Sequence, residues 1–210
     1  ASPYRNAQAY NGGMVEDVVP SKRALRAEVR ERRRIMTTSE REAAAAGLLT
    51  MMQSVVDQYV AGRIACYLST NDEPPTREFI DWAVGQNLAV YLPVAREDGL
   101  MDWAPYEGGS EGIDFAGMPI PTSEVLGPIA LADADVVFVP AASVAEDGMR
   151  LGWGRGYFDR ALGTLGSGST VFAVVYDHEV VDDVPREHHD QAVDGIVTPT
   201  RVIYLRSTTI

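Results

Sequence analysis

Apolar residues in this chain follow two different patterns, and the two alternate along it. Residues 63–68, 136–139 and 171–176 are short and almost wholly apolar, as in Val136-Val137-Phe138-Val139. Runs of that length without polar alternation predict strands covered on both faces. Between them the spacing is helical. Leu25, Val29 and Met36 mark one stripe of residues 22–36, behind a Ser21 able to cap the helix. Leu48, Leu49, Met52, Val55 and Val56 mark a second helix to about residue 58, opened by a capping box of Ser39 and Glu42. Phe79, Ile80 and Ala83 predict a third over 76–84, and Tyr157, Phe158, Ala161 and Leu162 a fourth over 156–165. Further strands are expected at 88–92, 101–106 and 202–205. Residues 107–132, rich in Gly, Pro and Ser, predict a long connection with little regular structure.

Alternating helices and apolar strands predict an α/β fold: one domain over residues 20–210, a mostly parallel central sheet with helices on both faces, in a Rossmann-like three-layer arrangement. Residues 1–19 show neither pattern. The Gly12-Gly13-Met14 junction reads as a tag-like or disordered segment meeting a native start, so this stretch stays outside the fold reading. In such sheets ligands bind beyond the carboxyl ends of strands, which directs attention to the loops after Leu68, Val139 and Tyr176.

Composition narrows the function classes. With 46% hydrophobic and 23% charged residues the chain has the make-up of an ordinary soluble protein. A net charge of −12 opposes binding to nucleic acid or to an anionic membrane surface. No apolar run is long enough to span a membrane, and no leader pattern is evident, so a cytoplasmic protein is expected. Cys66 is the only cysteine, which excludes an internal disulfide, and its apolar surroundings suit a buried small hydrophobe. Any anionic ligand must therefore find a local positive island on an acidic body.

Residues 150–160 offer that island. Gly152, Gly154 and Gly156 free the backbone at every second position, Arg150 and Arg155 bracket it with permanent charge, and the helix expected next presents its first amides. Such a loop suits an anion, most often phosphate. Asp159 adds a hard oxygen ligand where a magnesium ion accompanying phosphates could sit. Together these residues point to a nucleoside triphosphate, although neither the P-loop nor the dinucleotide glycine spacing is present. At the other end of the chain, Lys22, Arg26 and Arg30 recur every four residues on one helix face, and Arg32-Arg33-Arg34 adds charge. Such a face is ordinarily just solvated; the alternative is that Lys22 and Arg26, one turn apart, grip an anion together. The three histidines, His178, His188 and His189, lack zinc-type spacing, and no Ser-His-Asp or cysteine nucleophile site is evident.

The motif Arg150-Leu151-Gly152-x-Gly154-x-Gly156-Tyr157-Phe158-Asp159, after a strand ending in Val139-Pro140, resembles the signature of the 5-formyltetrahydrofolate cyclo-ligases, also called 5,10-methenyltetrahydrofolate synthetases. Three further segments resemble that family in the same order: Lys22-Arg23-Ala24-Leu25-Arg26; Tyr67-Leu68-Ser69 followed by Glu73 and Thr76; and Val184-Pro185-Arg186-Glu187-His188-His189-Asp190 with Val193-Asp194 beyond. Val144 and Ala145 depart from the family's usual Phe-Asp, and Ile120 stands where a glutamate is usual.

The resemblance implies a ligase with two small-molecule substrates, ATP and 5-formyltetrahydrofolate, with magnesium as cofactor and a monomer as the expected state. It implies ATP contacts from Lys22, Arg26, Arg150, Gly152, Trp153, Gly154, Arg155, Gly156, Tyr157 and Phe158, with Arg155 and Tyr157 in catalytic roles. Folate contacts fall to Leu68, Glu73, Trp153 and Tyr157, and metal ligation to Asp159 and Asp190. Each has a structural alternative. Arg150 could pair with a carboxylate, Tyr157 could anchor its helix, and Asp159 or Asp190 could cap one. The changes at Val144 and Ala145 motivate a second reading, a folate- or nucleotide-binding protein on the same fold with impaired catalysis. A third is a relative of sugar-phosphate isomerases or coenzyme A transferases.

Overall fold

The computed structural model describes residues 21–166, 168–187 and 190–205. The segment 1–19 and His188 and His189 lie outside the described residues. In chain order the elements are α1 (Lys22–Arg34), α2 (Thr38–Tyr59), β1 (Arg63–Ala65), α3 (Arg77–Gly85), β2 (Ala89–Ala95), β3 (Met101–Pro105), β4 (Glu111–Ile113), β5 (Pro119–Pro121), β6 (Val136–Pro140), β7 (Ser143–Ala145), β8 (Arg150–Leu151), α4 (Tyr157–Leu162), β9 (Thr170–Val174), β10 (Val180–Val181), β11 (Gly195–Val197) and β12 (Val202–Tyr204). Seven strands form the central sheet in the order β12-β11-β9-β6-β1-β2-β3. The five inner strands are parallel, and β12 and β3 close the edges in antiparallel sense. The expected mostly parallel α/β sheet is present.

The apolar runs follow from this burial. Successive side chains on a strand point to opposite faces. Ile64, Phe138 and Phe172 face α2 and α3, where they meet Leu48, Met52, Phe79 and Ile80. Ala65, Val137, Val139 and Ala173 face the other layer, with Trp103, Leu131 and Leu162. Cys66 is wholly buried between these layers, and burial pushes its thiol up to about 12, so it is an unreactive hydrophobe at neutral pH.

Local expectations shift in several places. Ser21 caps α1 as read, accepting from the Ala24 amide at 3.2 Å. The capping box of α2 is not Ser39 with Glu42 but Thr37 with Glu40, whose carboxylate accepts from the Thr37 amide at 2.7 Å. The motif occurs in two overlapping frames, and the earlier one adds helical residues at little further cost once the helix is nucleated. Residues 107–132 are more ordered than expected: β4 and β5 form a hairpin, and Pro128–Asp133 is a 3-10 helix. Asp114 organises the hairpin tip by accepting the Ala116 and Met118 amides at 2.8 and 2.9 Å. The helix expected over 156–165 ends at Leu162, with Gly163 as its cap. At six residues it adds little macrodipole.

The largest departure concerns Arg33. Arg32 and Arg34 behave as a solvated face, paired with Glu28 and Glu31. Arg33 is completely buried between them and forms a two-pronged ion pair with Glu179, Nε to Oε1 at 2.7 Å and Nη2 to Oε2 at 2.8 Å. Burial alone would lower its pKa, but the Glu179 hydrogen bonds and charge outweigh that and hold it above the ordinary arginine value.

Removing one partner of a buried pair leaves an uncompensated charge, so Glu179→Leu is expected to cost about 3–5 kcal/mol in urea denaturation. Adding Arg33→Met to that variant is expected to restore much of the loss. A double variant as unstable as the sum of the two singles would show that the pair is not coupled.

Candidate active site

The carboxyl ends of β1, β2 and β6 open into a cavity of about 380 Å³. Pro93 and Ala95 come from β2, Pro140 from β6, and Leu68, Thr70, Asp72 and Glu73 from the segment after β1. The opposite wall is the glycine loop: Arg150, Gly152, Trp153, Gly154, Arg155, Gly156, Tyr157, Phe158 and Asp159 all line it. Two segments 80 or so residues apart in sequence thus face one space, because parallel topology collects the loops of successive strands at one sheet edge.

The loop conformation depends on its glycines. Gly154 has φ +95° and Gly156 φ +70°, the left-handed region that other residues occupy only under strain. A Cβ on Gly154 would also stand 3.1 Å from the Arg26 guanidinium. Arg26 donates from Nε to the Gly152 carbonyl at 2.7 Å, so α1 reaches the loop across 126 residues of sequence. Lys22, the only lysine of the chain, lies 2.8 Å from Asp190 and 3.3 Å from Glu187. Asp190 also accepts the Glu187 amide at 2.7 Å. Lys22, Arg26 and Asp190 therefore brace the loop's surroundings and do not line the cavity.

The loop's charged groups differ in how they are held. Arg150 is 3% exposed and donates to Asp159 Oδ1 at 2.7 Å, while its Nε has no hydrogen-bond partner among the described residues. Burial holds its pKa below the ordinary arginine value against the charges of Asp159 and Asp190. Arg155 is exposed at the cavity, and its guanidinium makes no hydrogen bond or ion pair among the described residues. The Tyr157 hydroxyl donates to the Arg96 carbonyl at 3.0 Å and ties α4 to the turn between β2 and β3. Phe158 meets Trp103 edge-on at 6.5 Å.

On the facing wall, Glu73 accepts from the Thr70 amide at 2.9 Å and the Thr70 hydroxyl at 3.1 Å. Burial pushes its carboxyl above the usual range, although those hydrogen bonds and the Arg33 charge oppose the shift. Among the described residues no group of three or more His, Cys, Asp or Glu could hold a metal ion, and no helix is long and apolar enough to cross a membrane.

The sequence model of the 5-formyltetrahydrofolate cyclo-ligase family matches residues 18–199. The chain belongs to this family. A 5-formyltetrahydrofolate cyclo-ligase of Mycolicibacterium smegmatis is 33% identical over 189 residues, covering 87% of this chain and 96% of that protein. One from Escherichia coli is 28% identical, covering 83% and 98%. An NMR structure of Aquifex aeolicus 5,10-methenyltetrahydrofolate synthetase superposes with a TM-score of 0.76 at 24% identity, covering 90% of this chain and 95% of that one, and shares the fold. This protein is thus a ligase of the cyclo-ligase family.

Wall positions not singled out as site residues from sequence include Arg30, Arg33, and Asp114 and Met118 of the hairpin. Arg30 and Arg33 carried a signal, since they follow Arg26 at four and seven residues and so share its helix face. The hairpin carried none, because strands of three residues are too short to show alternation.

Gly154→Ala is expected to leave the melting temperature within a few degrees while weakening nucleotide binding at least tenfold, since the loop can no longer reach its left-handed turn. Calorimetric titration with a non-hydrolysable ATP analogue measures this. Unchanged affinity would mean that the loop's shape is not what holds a nucleotide.

Proposed function

We propose that this protein closes 5-formyltetrahydrofolate to 5,10-methenyltetrahydrofolate at the expense of ATP, releasing ADP and phosphate through a phosphorylated formyl intermediate. One observation carries the reading: the arginine-glycine loop and the Leu68–Glu73 segment face each other across a single cavity. A formamide oxygen is a poor leaving group. Its attack on the γ-phosphorus expels ADP and converts it into a phosphate ester. N10 of the folate then attacks the formyl carbon, the carbon–oxygen bond to phosphate breaks, and the N10 proton leaves with the phosphate. Chemistry of this kind asks for positioning and charge stabilisation more than for a protein nucleophile.

The residues present suit those tasks. The amides of Gly152, Gly154 and Gly156 and the side chain of Arg155 receive the triphosphate. Arg26 keeps the loop in place, as does Arg150 through Asp159, while Lys22 holds Asp190. Glu73 accepts the donor edge of the pterin, Leu68 packs on its ring, and Trp153 and Tyr157 form the aromatic boundary between the two substrates.

Magnesium fits one position. Asp159 Oδ1 is engaged by Arg150, whereas Oδ2 accepts no hydrogen bond among the described residues and remains free to ligate. A single carboxylate suits magnesium, which takes its other ligands from phosphate oxygens and water. Asp190, committed to Lys22 and a backbone amide, serves better as a brace than as a second ligand. A bound magnesium ion would neutralise charge on the phosphates and line up the γ-phosphoryl group.

The positions of the departures from the family pattern favour retained catalysis over the impaired-catalysis alternative. Val144 and Ala145 are wholly buried in β7 and Ile120 lies in β5; none of the three lines the cavity. The free buried cysteine suits a reducing cytoplasm.

Addition of 5-formyltetrahydrofolate is expected to give an ATP-dependent rise in methenyl-folate absorbance, and no rise would overturn the proposal. Arg155→Ala is expected to lower kcat about 100- to 1000-fold with a smaller change in KM for ATP, and Arg155→Lys to recover part of it. A loss under threefold would remove Arg155 from the phosphoryl transfer.

A pH dependence follows from Glu73. Its raised pKa means that the folded protein holds this proton more tightly than the unfolded chain does. The group's stabilising contribution is therefore present below the ordinary glutamate value and lost as pH climbs through the folded one. Glu73→Gln is accordingly expected to gain stability relative to wild type as pH rises through that window. In the same window the ionised form is what accepts from the pterin, so KM for the folate should fall as pH rises in wild type and stay flat in Glu73→Gln. Parallel KM profiles would exclude Glu73 from folate binding.

A further inference from the structure

Four arginines line the cavity, and they divide into two kinds. Arg33 and Arg150 are buried and committed to carboxylates, Glu179 and Asp159. Arg30 and Arg155 meet no carboxylate among the described residues, although the chain carries 30 acidic residues and ion pairs occupy many of its other arginines. A guanidinium left without an acid in so acidic a protein, and facing a cavity, is held for an anion that arrives from outside.

The place of Arg30 says which anion. Along α1, Arg26 holds the Gly152 carbonyl on the nucleotide wall. Arg33, seven residues on, donates to the Asp72 carbonyl at 3.4 Å, beside Glu73 on the folate wall. Arg30 stands between them on the same helix face, its guanidinium 5.2 Å from the Trp153 ring centroid, and Arg33 lies over that same ring at 5.0 Å. A cation–π contact of this kind steadies a long side chain without using its N–H donors. All of them remain available at the level where the two walls meet.

We propose that Arg30 is a second catalytic arginine that contacts the phosphoryl group in transit from ATP to the formyl oxygen, opposite Arg155. This rests on the function proposed above. In the transfer the bond between the γ-phosphorus and the β,γ-bridging oxygen breaks as the bond to the formyl oxygen forms, and negative charge spreads over the equatorial phosphoryl oxygens. Arg30 and Arg155 donate to those oxygens from two sides. Neither gains or loses a proton.

The test compares wild type, Arg30→Ala and Arg30→Lys, with melting temperature as the control for folding. Arg30 is exposed on a helix surface, where alanine is well tolerated. The expected result for Arg30→Ala is a kcat reduced at least thirtyfold, KM for ATP changed less than threefold, and partial recovery in Arg30→Lys. A binding readout accompanies it: ADP with aluminium fluoride, which mimics a phosphoryl group in flight, is expected to bind Arg30→Ala at least tenfold more weakly in the presence of 5-formyltetrahydrofolate, while ADP alone binds as in wild type. Unchanged kcat and unchanged aluminium fluoride binding would overturn the proposal. So would a defect confined to KM for folates with long glutamate tails, which would assign Arg30 to a tail carboxylate. Wild type without ATP-dependent turnover would defeat the underlying function, whereas active wild type with an unimpaired Arg30→Ala would defeat this inference alone.

Discussion

The buried guanidinium of Arg33 is the constraint on which the site depends. It forms the two-pronged pair with Glu179 after β9, donates to Ala141 after β6 at 2.8 Å, and reaches Asp72 after β1. Glu179 in turn accepts the Tyr176 amide at 2.8 Å. One side chain of α1 thereby joins the segments following three parallel strands. Taking two charges out of water costs several kcal/mol per ion, and such a pair persists only where geometry and further hydrogen bonds offset that cost. Both conditions hold here. The result is less a gain in stability than a fixed distance between the Leu68–Glu73 wall and the rest of the molecule.

The same helix also sets the glycine-loop wall, through Arg26 on the Gly152 carbonyl. The separation of the two walls is therefore the length of a helical segment from residue 26 to residue 33, a spacing that a rigid rod of backbone hydrogen bonds keeps better than any loop could. Phosphoryl transfer is sensitive to small errors in position. A helix gripping both walls by arginines would give the proposed transfer that accuracy without those two side chains contacting the reacting atoms.

An acidic protein that gathers anionic substrates presents an electrostatic contradiction, which distance resolves. At physiological salt, charges separated by more than about 8 Å are largely screened. The net charge of −12 therefore weighs little inside the cavity, where four guanidiniums share the walls with Asp72, Glu73, Asp114 and Asp159. Two of the guanidiniums are paired with carboxylates, Arg33 with Glu179 and Arg150 with Asp159, and two are open. That division leaves the donors of Arg30 and Arg155 open to an incoming anion.

Much of the molecule was legible in the sequence. The parallel sheet could be read because strands buried on both faces must be apolar throughout, as in Val136–Pro140, and the glycine loop because left-handed turns such as those at Gly154 and Gly156 demand glycine. Short-range chemistry of this kind is written in neighbouring residues. The hairpin of β4 and β5, the choice of Thr37 over Ser39 as a cap, and the burial of Arg33 among exposed Arg32 and Arg34 were not legible. The hairpin strands were too short to show alternation, the two caps were overlapping frames of one motif, and for Arg33 packing decided. A run of three arginines states its charge but not which one turns inward. That depended on where Glu179, 146 residues away, came to lie once the sheet had formed. The sequence by itself determined the layers and the chemistry of the loop; only the tertiary structure decided which charges were sealed in pairs and which stayed open, because burial and the partner's position are properties of the folded chain.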